Sequence, residues 1–339
     1  MVSHTVSRGY RLRAGLGASV AAGLLLTACG GVQTSTGGGG DNATYPSGPV
    51  EMYVGASAGG SSDLISRAVS KGLSDKLGQP FPVINREGAN GALAAAEVAK
   101  ADPDGSVIAI QNASLFTITP LAVSESEATS IDDFDIVYGV SRDDYVLVTS
   151  PASGFKSVKD LQDAGETVQY GTTGVGTGAQ LASALFFKTT EVDSTPVPFD
   201  GGAPALAAVL GNQVDVATLQ VGEAVENIKS GKLTALATFS PEPLAFLPDV
   251  PTAKSQGVDV EVSQYRFMTV PKGTPQNVQD TIADAMKATF ETQDYKDFNE
   301  QNNLTPMEEP GAEVLAQLQA DQKRYADLVK QYDIKLGED

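Results

Sequence analysis

The stretch Val50-Glu51-Met52-Tyr53-Val54, followed by Gly55-Ala56-Ser57-Ala58-Gly59-Gly60-Ser61-Ser62-Asp63, decides the fold. The first five residues favour a β-strand, and the next nine form a glycine-rich turn. Apolar residues then recur at helical spacing, at Leu64, Ile65, Ala68, Val69, Leu73 and Leu77. The sequence therefore predicts a strand, a glycine loop and an amphipathic helix in succession, which is the repeating unit of a parallel α/β sheet.

The same unit recurs in the second half of the chain. A strand at 168–170 runs into a glycine loop at 171–178, and a helix is predicted over 179–187. Two late helices are predicted from apolar stripes, which we expect to face the core: Val278, Ile282, Met286 and Phe290 in one, and Val314, Leu318, Tyr325, Leu328 and Tyr332 in the other. The length and the two repeated units predict two α/β domains.

The first residues carry a targeting signal. Three arginines precede an apolar run at 14–26, which ends in Leu26-Thr27-Ala28-Cys29. This pattern is typical of a bacterial lipoprotein signal peptide (1–28), and Cys29 would be the lipidated N-terminus of a protein anchored to the outside of the cell membrane. The glycine-rich segment 29–44 is predicted to be a flexible tether. The alternatives are an ordinary secretory peptide with an incidental cysteine and a short membrane anchor.

Composition excludes several classes of function. The net charge of −19 becomes more negative once the three arginines are removed, so nucleic acid is not an expected partner. His4 is the only histidine and Cys29 the only cysteine, so the mature body has no Ser-His-Asp triad, no Cys-His pair, no histidine metal site and no disulfide. We therefore expect a protein that is not an enzyme and needs no metal or cofactor. An enzyme would have to use a carboxylate such as Asp63 or Asp200 as general base.

Both glycine loops have the character of an anion site. Each places backbone N–H groups and hydroxyl side chains at the start of a helix, where the helix dipole is positive. Nucleotide binding does not fit, because Ser61 stands where a P-loop has lysine and the 174–178 loop lacks the G-x-G-x-x-G spacing. The alternative is that both loops are turns that simply require glycine.

An ordered set of motifs runs through most of the mature chain. They are Tyr45-Pro46-Ser47, Gly59-Gly60-Ser61-Ser62-Asp63, Leu77-Gly78-Gln79-Pro80, 85–91 (NREGANG), Pro103-Asp104-Gly105, 197–206 (VPFDGGAPAL), 210–215 (LGNQVD), 228–233 (IKSGKL), 247–252 (LPDVPT) and 271–275 (PKGTP). In this order they resemble the extracytoplasmic solute receptors of tripartite tricarboxylate transporters, the Bug family.

The resemblance implies an α/β fold of the periplasmic-binding-protein kind (type II), a two-domain clamshell with two crossover strands and the ligand in the interdomain cleft. We expect the crossings near Ser141 and Val262. The domains would then be 45–141 plus 263–339, and 142–262.

Site residues carried over by position lie mostly on the two glycine loops. They are Ser57, Gly60, Ser61, Ser62 and Asp63 on the first, Thr172, Thr173, Gly176, Thr177 and Gly178 on the second, with Ser114, Gln220 and Arg266 elsewhere. Tyr265-Arg266 is similar to the Trp-Arg pair of the tricarboxylate-binding branch, and the alternative is a surface arginine beside a core tyrosine. The chain departs from the family at Gly55 and Ala56, where Pro-Phe is usual, so the ligand cannot be carried over.

The resemblance implies a monomeric receptor that captures a di- or tricarboxylate, with citrate as one candidate, and delivers it to integral-membrane transporter subunits. The alternative is a carboxylate-sensing receptor for a two-component signalling partner.

Overall fold

The computed structural model describes residues 45–337, and these form two β-sheets covered by helices. The strands are β1 (Glu51–Val54), β2 (Val83–Asn85), β3 (Val107–Asn112), β4 (Phe134–Arg142), β5 (Tyr145–Thr149), β6 (Val168–Thr172), β7 (Ser194–Pro198), β8 (Val216–Gln220), β9 (Thr234–Thr238), β10 (Tyr265–Pro271) and β11 (Thr305–Pro306). The first sheet has the order β11-β4-β10-β3-β1-β2, and the second has the order β7-β6-β8-β5-β9.

Ten α-helices pack on these sheets within residues 45–337. They are α1 (Ser61–Leu77), α2 (Ala92–Val98), α3 (Ser114–Thr117), α4 (Val158–Gln162), α5 (Gly178–Thr190), α6 (Gly202–Leu210), α7 (Val221–Lys229), α8 (Gln276–Phe290), α9 (Gln293–Gln301) and α10 (Gly311–Tyr332). The predicted strand, glycine loop and helix units are β1 with α1 and β6 with α5. The predicted tether and Cys29 lie outside the described residues.

The predicted apolar stripes form the cores. Ile65, Val69 and Leu73 of α1 are fully buried beside Ile282 and the rest of the α8 stripe. Burial of each such side chain contributes about 1.5–3 kcal/mol. Leu64 differs, because it is 41% exposed on the opposite face of α1.

The chain passes from one sheet to the other twice. It leaves the first sheet at Arg142 and enters the second at Tyr145, and it returns between Thr238 and Tyr265. The two connections lie side by side, since the Asp143 N–H donates to the Gln264 carbonyl (2.8 Å) and the Ser263 hydroxyl donates to Asp144 Oδ1 (2.6 Å). Each sheet with its helices is therefore one lobe of a two-lobed body.

The last helix contacts both lobes. Val314 and Leu318 of α10 are buried with Phe267 of the first sheet. Tyr325 lies in the core of the second sheet, and so does Leu336, whose carbonyl accepts a hydrogen bond from Gln180 Nε2 (3.0 Å). Helix α10 and the residues after it therefore pack against both sheets.

Candidate functional site

The first glycine loop leaves a helix N-terminus open. Gly60 is the N-cap of α1 and provides no side-chain hydrogen bond to the first turn. The first backbone N–H groups of a helix have no carbonyl partner within it, so those of Ser61, Ser62 and Asp63 point out of the helix end. The hydroxyls of Ser61 and Ser62 lie at the same place. This end of α1 has the geometry of an anion site.

Asp63 braces this loop from inside. The carboxylate is 2% exposed and accepts hydrogen bonds from the Gly59 N–H (2.8 Å), from Arg67 Nε (2.9 Å) and from Asn85 Nδ2 (2.9 Å). Burial raises the pKa of Asp63, but these hydrogen bonds together outweigh burial and hold it below its usual value. The Asp63 side chain is thus occupied within the loop, and it holds Gly59 in its left-handed conformation (φ +84°).

Ser57, a candidate on the first loop, and Asp200, the alternative general base, both lie at the surface. The Ser57 hydroxyl donates to Glu87 on the outer side of the loop. Neither of these side chains lies with the buried polar group described next.

Arg266 lies between the two lobes and is 1% exposed. Its Nε donates to Ser62 Oγ (2.7 Å) at the start of α1, and its Nη2 donates to Gln220 Oε1 (3.0 Å) at the end of β8. Its Nη1 lies 3.5 Å from Asp143 Oδ2 but has no hydrogen-bond partner. The alternative of a surface arginine is therefore wrong. Tyr265 is a core residue, with its hydroxyl donating to Asp321 Oδ2 (3.0 Å).

Asp143 and Glu223 complete this buried polar group, and neither was predicted. Asp143 accepts hydrogen bonds from Ser61 Oγ (3.0 Å) and from the Gly222 N–H (3.2 Å). Burial raises the pKa of Glu223 to about 7; the charge of Asp143 adds to this shift, and Arg266 opposes it. No local pattern identifies Asp143, because it follows the polar residues Ser141 and Arg142 at the end of β4.

The second glycine loop is closed by its own side chains. Thr177 caps α5 by accepting from the Gln180 N–H (3.3 Å), and the Gln180 side chain accepts from the Gly176 N–H (2.8 Å). The Gly176 carbonyl in turn accepts from Asn90 Nδ2 (3.3 Å) and Thr119 Oγ1 (3.1 Å) of the first lobe. This loop therefore fastens the lobes together and has fewer free N–H groups than the first loop.

The remaining candidates described here are Ser114, Gly178, Thr172 and Thr173. Ser114 belongs with the fastened side, where its hydroxyl bonds with Asn90 Nδ2 (2.9 Å) and Gln264 Nε2 (3.1 Å). Gly178 lies against the Tyr145 ring, where a Cβ would come within 2.5 Å of a ring carbon. Thr172 is buried with its hydroxyl unpartnered, and Thr173 is partly buried beside it.

The buried polar atoms without a hydrogen-bond partner include Thr172 Oγ1, Glu223 Oε2 and Arg266 Nη1. They lie at the carboxyl end of β6, in the first turn of α7 directly after β8, and at the start of β10. Open α/β sheets bind ligands at the carboxyl ends of their strands, and buried polar atoms are normally paired. The arrangement suits a small polar ligand held by one cation, one carboxyl group and the end of α1.

No helix within residues 45–337 combines the length and the apolar character that crossing a bilayer requires.

Comparisons with known proteins agree with this architecture. The profile of the tripartite tricarboxylate transporter family receptors matches residues 65–334. Protein BugT of Bordetella pertussis is 34% identical over 242 residues, which cover 68% of this chain and 73% of BugT. The periplasmic binding protein BugD has a similar structure (TM-score 0.78, 25% identity, 87% of this chain and 100% of BugD). MatC from Rhodopseudomonas palustris with bound malate is also similar (TM-score 0.76, 25% identity, 84% of this chain and 100% of MatC).

The predicted resemblance and the predicted two-domain α/β class are both confirmed. The chain belongs to the tripartite tricarboxylate transporter receptors, the Bug family, and it is a periplasmic solute-binding receptor and not an enzyme.

Proposed function

We propose that the protein captures a small di- or tricarboxylate in the cleft between its lobes and delivers it to the integral-membrane subunits of a tripartite tricarboxylate transporter. Citrate is one candidate ligand. The receptor acts as a monomer, held at the outer face of the cell membrane by acyl chains on Cys29.

The observation that carries the proposal is the open N-terminus of α1, where the buried Arg266 side chain contacts the first turn through Ser62. A carboxylate placed there would accept hydrogen bonds from the first-turn N–H groups and from the Ser62 hydroxyl, whose proton is free because its oxygen accepts from Arg266, and it would lie beside a buried guanidinium. Hydrogen bonds to a charged group are worth about 1.5–3 kcal/mol each. The overall negative charge of the protein does not prevent this, because distant surface charges are screened within about 8–10 Å.

The relatives support the chemical class of the ligand. The family is that of transporter receptors, and MatC, a structural neighbour, holds malate, which is a dicarboxylate. The anchor is supported by the sequence Leu26-Thr27-Ala28-Cys29 alone.

A thermal-shift screen of the mature protein tests the proposal. A ligand that binds only the folded form raises the melting temperature. At a free concentration one hundred times its Kd, such a ligand adds about 2.7 kcal/mol to the free energy of unfolding. The panel is citrate, malate, succinate, aspartate and adipate, with glucose as a neutral control. We expect at least one carboxylate to raise the melting temperature, whereas a protein that responds to none of them, or only to glucose, contradicts the proposal.

Gly60→Val then tests the place of binding. The backbone of Gly60 (φ −74°, ψ 164°) is open to any residue, but a branched side chain would cover the helix end. We expect calorimetric titration to show a loss of affinity of tenfold or more, with a small change in melting temperature. Gly48→Val is the matched control, because a Cβ at Gly48 meets no atom within 4 Å.

A further inference from the structure

Glu223 has a carboxylate oxygen that the protein leaves unused. The residue as a whole is partly exposed, but its Oε2 atom is buried and has no hydrogen-bond partner. The carboxylate lies against the first residue of α6, because a Cβ built on Gly202 would come within 1.9 Å of Oε2. This places Glu223 at the carboxyl edge of the second sheet, beside the open end of α6, whose N-cap Gly201 makes no side-chain hydrogen bond.

The charges nearby do not neutralise it. Arg266 is already paired with Asp143, and its Nε and Nη2 are used by Ser62 and Gln220. Glu223 is therefore the second carboxyl group beside a single cation. An unpaired buried carboxylate is costly, and the raised pKa of about 7 expresses that cost. A cationic or hydrogen-bond-donating group of a ligand would remove this energetic cost by pairing with the carboxylate.

The groups on the other side of the cleft require the opposite chemistry. Arg266 Nη1 is a donor, and the first-turn N–H groups of α1 are donors, so both fit a carboxylate. A ligand that satisfies both sides of the cleft carries a carboxylate for the first lobe and a donor for the second.

We infer that Glu223 determines the specificity of the cleft by accepting hydrogen bonds from an ammonium group, so that the ligand is a carboxylic acid that also bears an amino group. This inference rests on the proposed function, because it assumes that a carboxylate of the ligand is bound at α1. An ammonium is favoured over a hydroxyl because Asp143 and Glu223 together outnumber Arg266 in charge.

The test compares three four-carbon dicarboxylates that differ at one position. Succinate has no donor there, malate has a hydroxyl and aspartate has an ammonium. Calorimetric titration at about pH 8 keeps Glu223 largely ionised, since this is above its pKa of about 7. We expect the wild-type protein to bind aspartate at least about tenfold more tightly than succinate, as one charge-assisted hydrogen bond predicts.

The Glu223→Gln variant identifies the residue responsible. It keeps the shape of the side chain and removes its charge, so we expect most of the preference for aspartate over succinate to disappear, because aspartate loses the acceptor for its ammonium group while succinate no longer faces the negative charge. Glu226→Gln, on the exposed face of the same helix, is the matched control and should keep the wild-type preference. Melting curves of both variants establish that each is folded.

Other results overturn the inference. If succinate or malate binds as tightly as aspartate, the ammonium has no partner in the cleft. If Glu223→Gln keeps the preference for aspartate, another group provides it. In both cases carboxylate binding, and with it the proposed function, would stand. If no carboxylate of the screen binds at all, the proposed function fails and the inference fails with it.

Discussion

Replacing Arg266 by methionine should destabilise the whole protein. Methionine fills much of the same volume, so the main change is the loss of the charge that faces Asp143. Breaking a buried ion pair by removing one partner costs about 3–5 kcal/mol, because the other charge stays buried. Asp143 would keep its hydrogen bonds from Ser61 and Gly222, so the lower end of this range is expected.

The assay is a melting curve of the mature protein without ligand. At about 2–4 °C for each kcal/mol, a loss of about 3 kcal/mol corresponds to a fall in melting temperature of roughly 6–12 °C. Asp143→Asn is the matched partner variant. The double variant should lose clearly less than the sum of the two single losses, since contacting residues usually show coupling energies of 0.5–3 kcal/mol.

The reasoning is refuted if Arg266→Met melts like the wild type, or if the two losses are simply additive. The consequence for binding studies is practical. Any loss of affinity caused by a change at Arg266 has to be measured well below the melting temperature of that variant.

Three further predictions concern single residues. Gly178→Ala should cost about 1–3 kcal/mol of stability in thermal melts, because its methyl group would displace the buried ring of Tyr145, whereas Gly48→Ala should be neutral. Glu223→Gln should become progressively more stable than the wild type as pH rises from about 4.5 to 7, and the difference above that range should be on the order of 3 kcal/mol. The reason is that Glu223 loses its proton at about pH 4.5 in the unfolded wild type but only at about pH 7 in the folded one. Parallel pH profiles of stability for the two proteins would disprove this. Cys29→Ser should release an otherwise folded protein from membranes, and retention of the variant after a salt wash would contradict lipid anchoring.

The sequence predicted those elements that are specified locally. Helix α8 was predicted from the spacing of Val278, Ile282, Met286 and Phe290, which recurs every three to four residues, and all four side chains are buried. The glycine loops were found because the change from strand to helix periodicity occurs on either side of them. In each case neighbouring residues carry the whole signal.

Strand β4 was missed although it is one of the longest strands of residues 45–337. Its sequence includes Gly139 and Ser141, which interrupt the apolar alternation. Gly139 is required by a distant contact, because a Cβ there would come within 2.3 Å of the Met307 carbonyl. Strand β4 pairs along its length with β10, which lies far away in the sequence, so no local pattern identifies it.

The buried charges of the cleft were missed for a related reason. Arg266 was nominated by resemblance alone, and its partner Asp143 lies on the other crossover. An ion pair between segments so far apart in sequence produces no local residue spacing from which it could be predicted. Glu223 looked like an ordinary acidic residue in the first turn of a helix, where carboxylates are common.

The two glycine loops look equivalent in sequence, but they differ in what their helix ends can still bind. Thr177-Gly178-Ala179-Gln180 has the spacing of a capping box. Thr177 Oγ1 accepts from the Gln180 N–H as in that motif, while the Gln180 side chain accepts from the N–H of Gly176, one residue before the N-cap, so both side chains take up backbone N–H groups that a ligand would otherwise meet. At the first loop the N-cap is Gly60, which offers no such side chain. A ligand carboxylate is therefore expected at the first loop, where the N–H groups are open, while the second loop contributes lobe contacts through the Gly176 carbonyl. This asymmetry leaves recognition of the rest of the ligand to Thr172 at the end of β6 and Glu223 in the first turn of α7, both of which have an unpartnered oxygen.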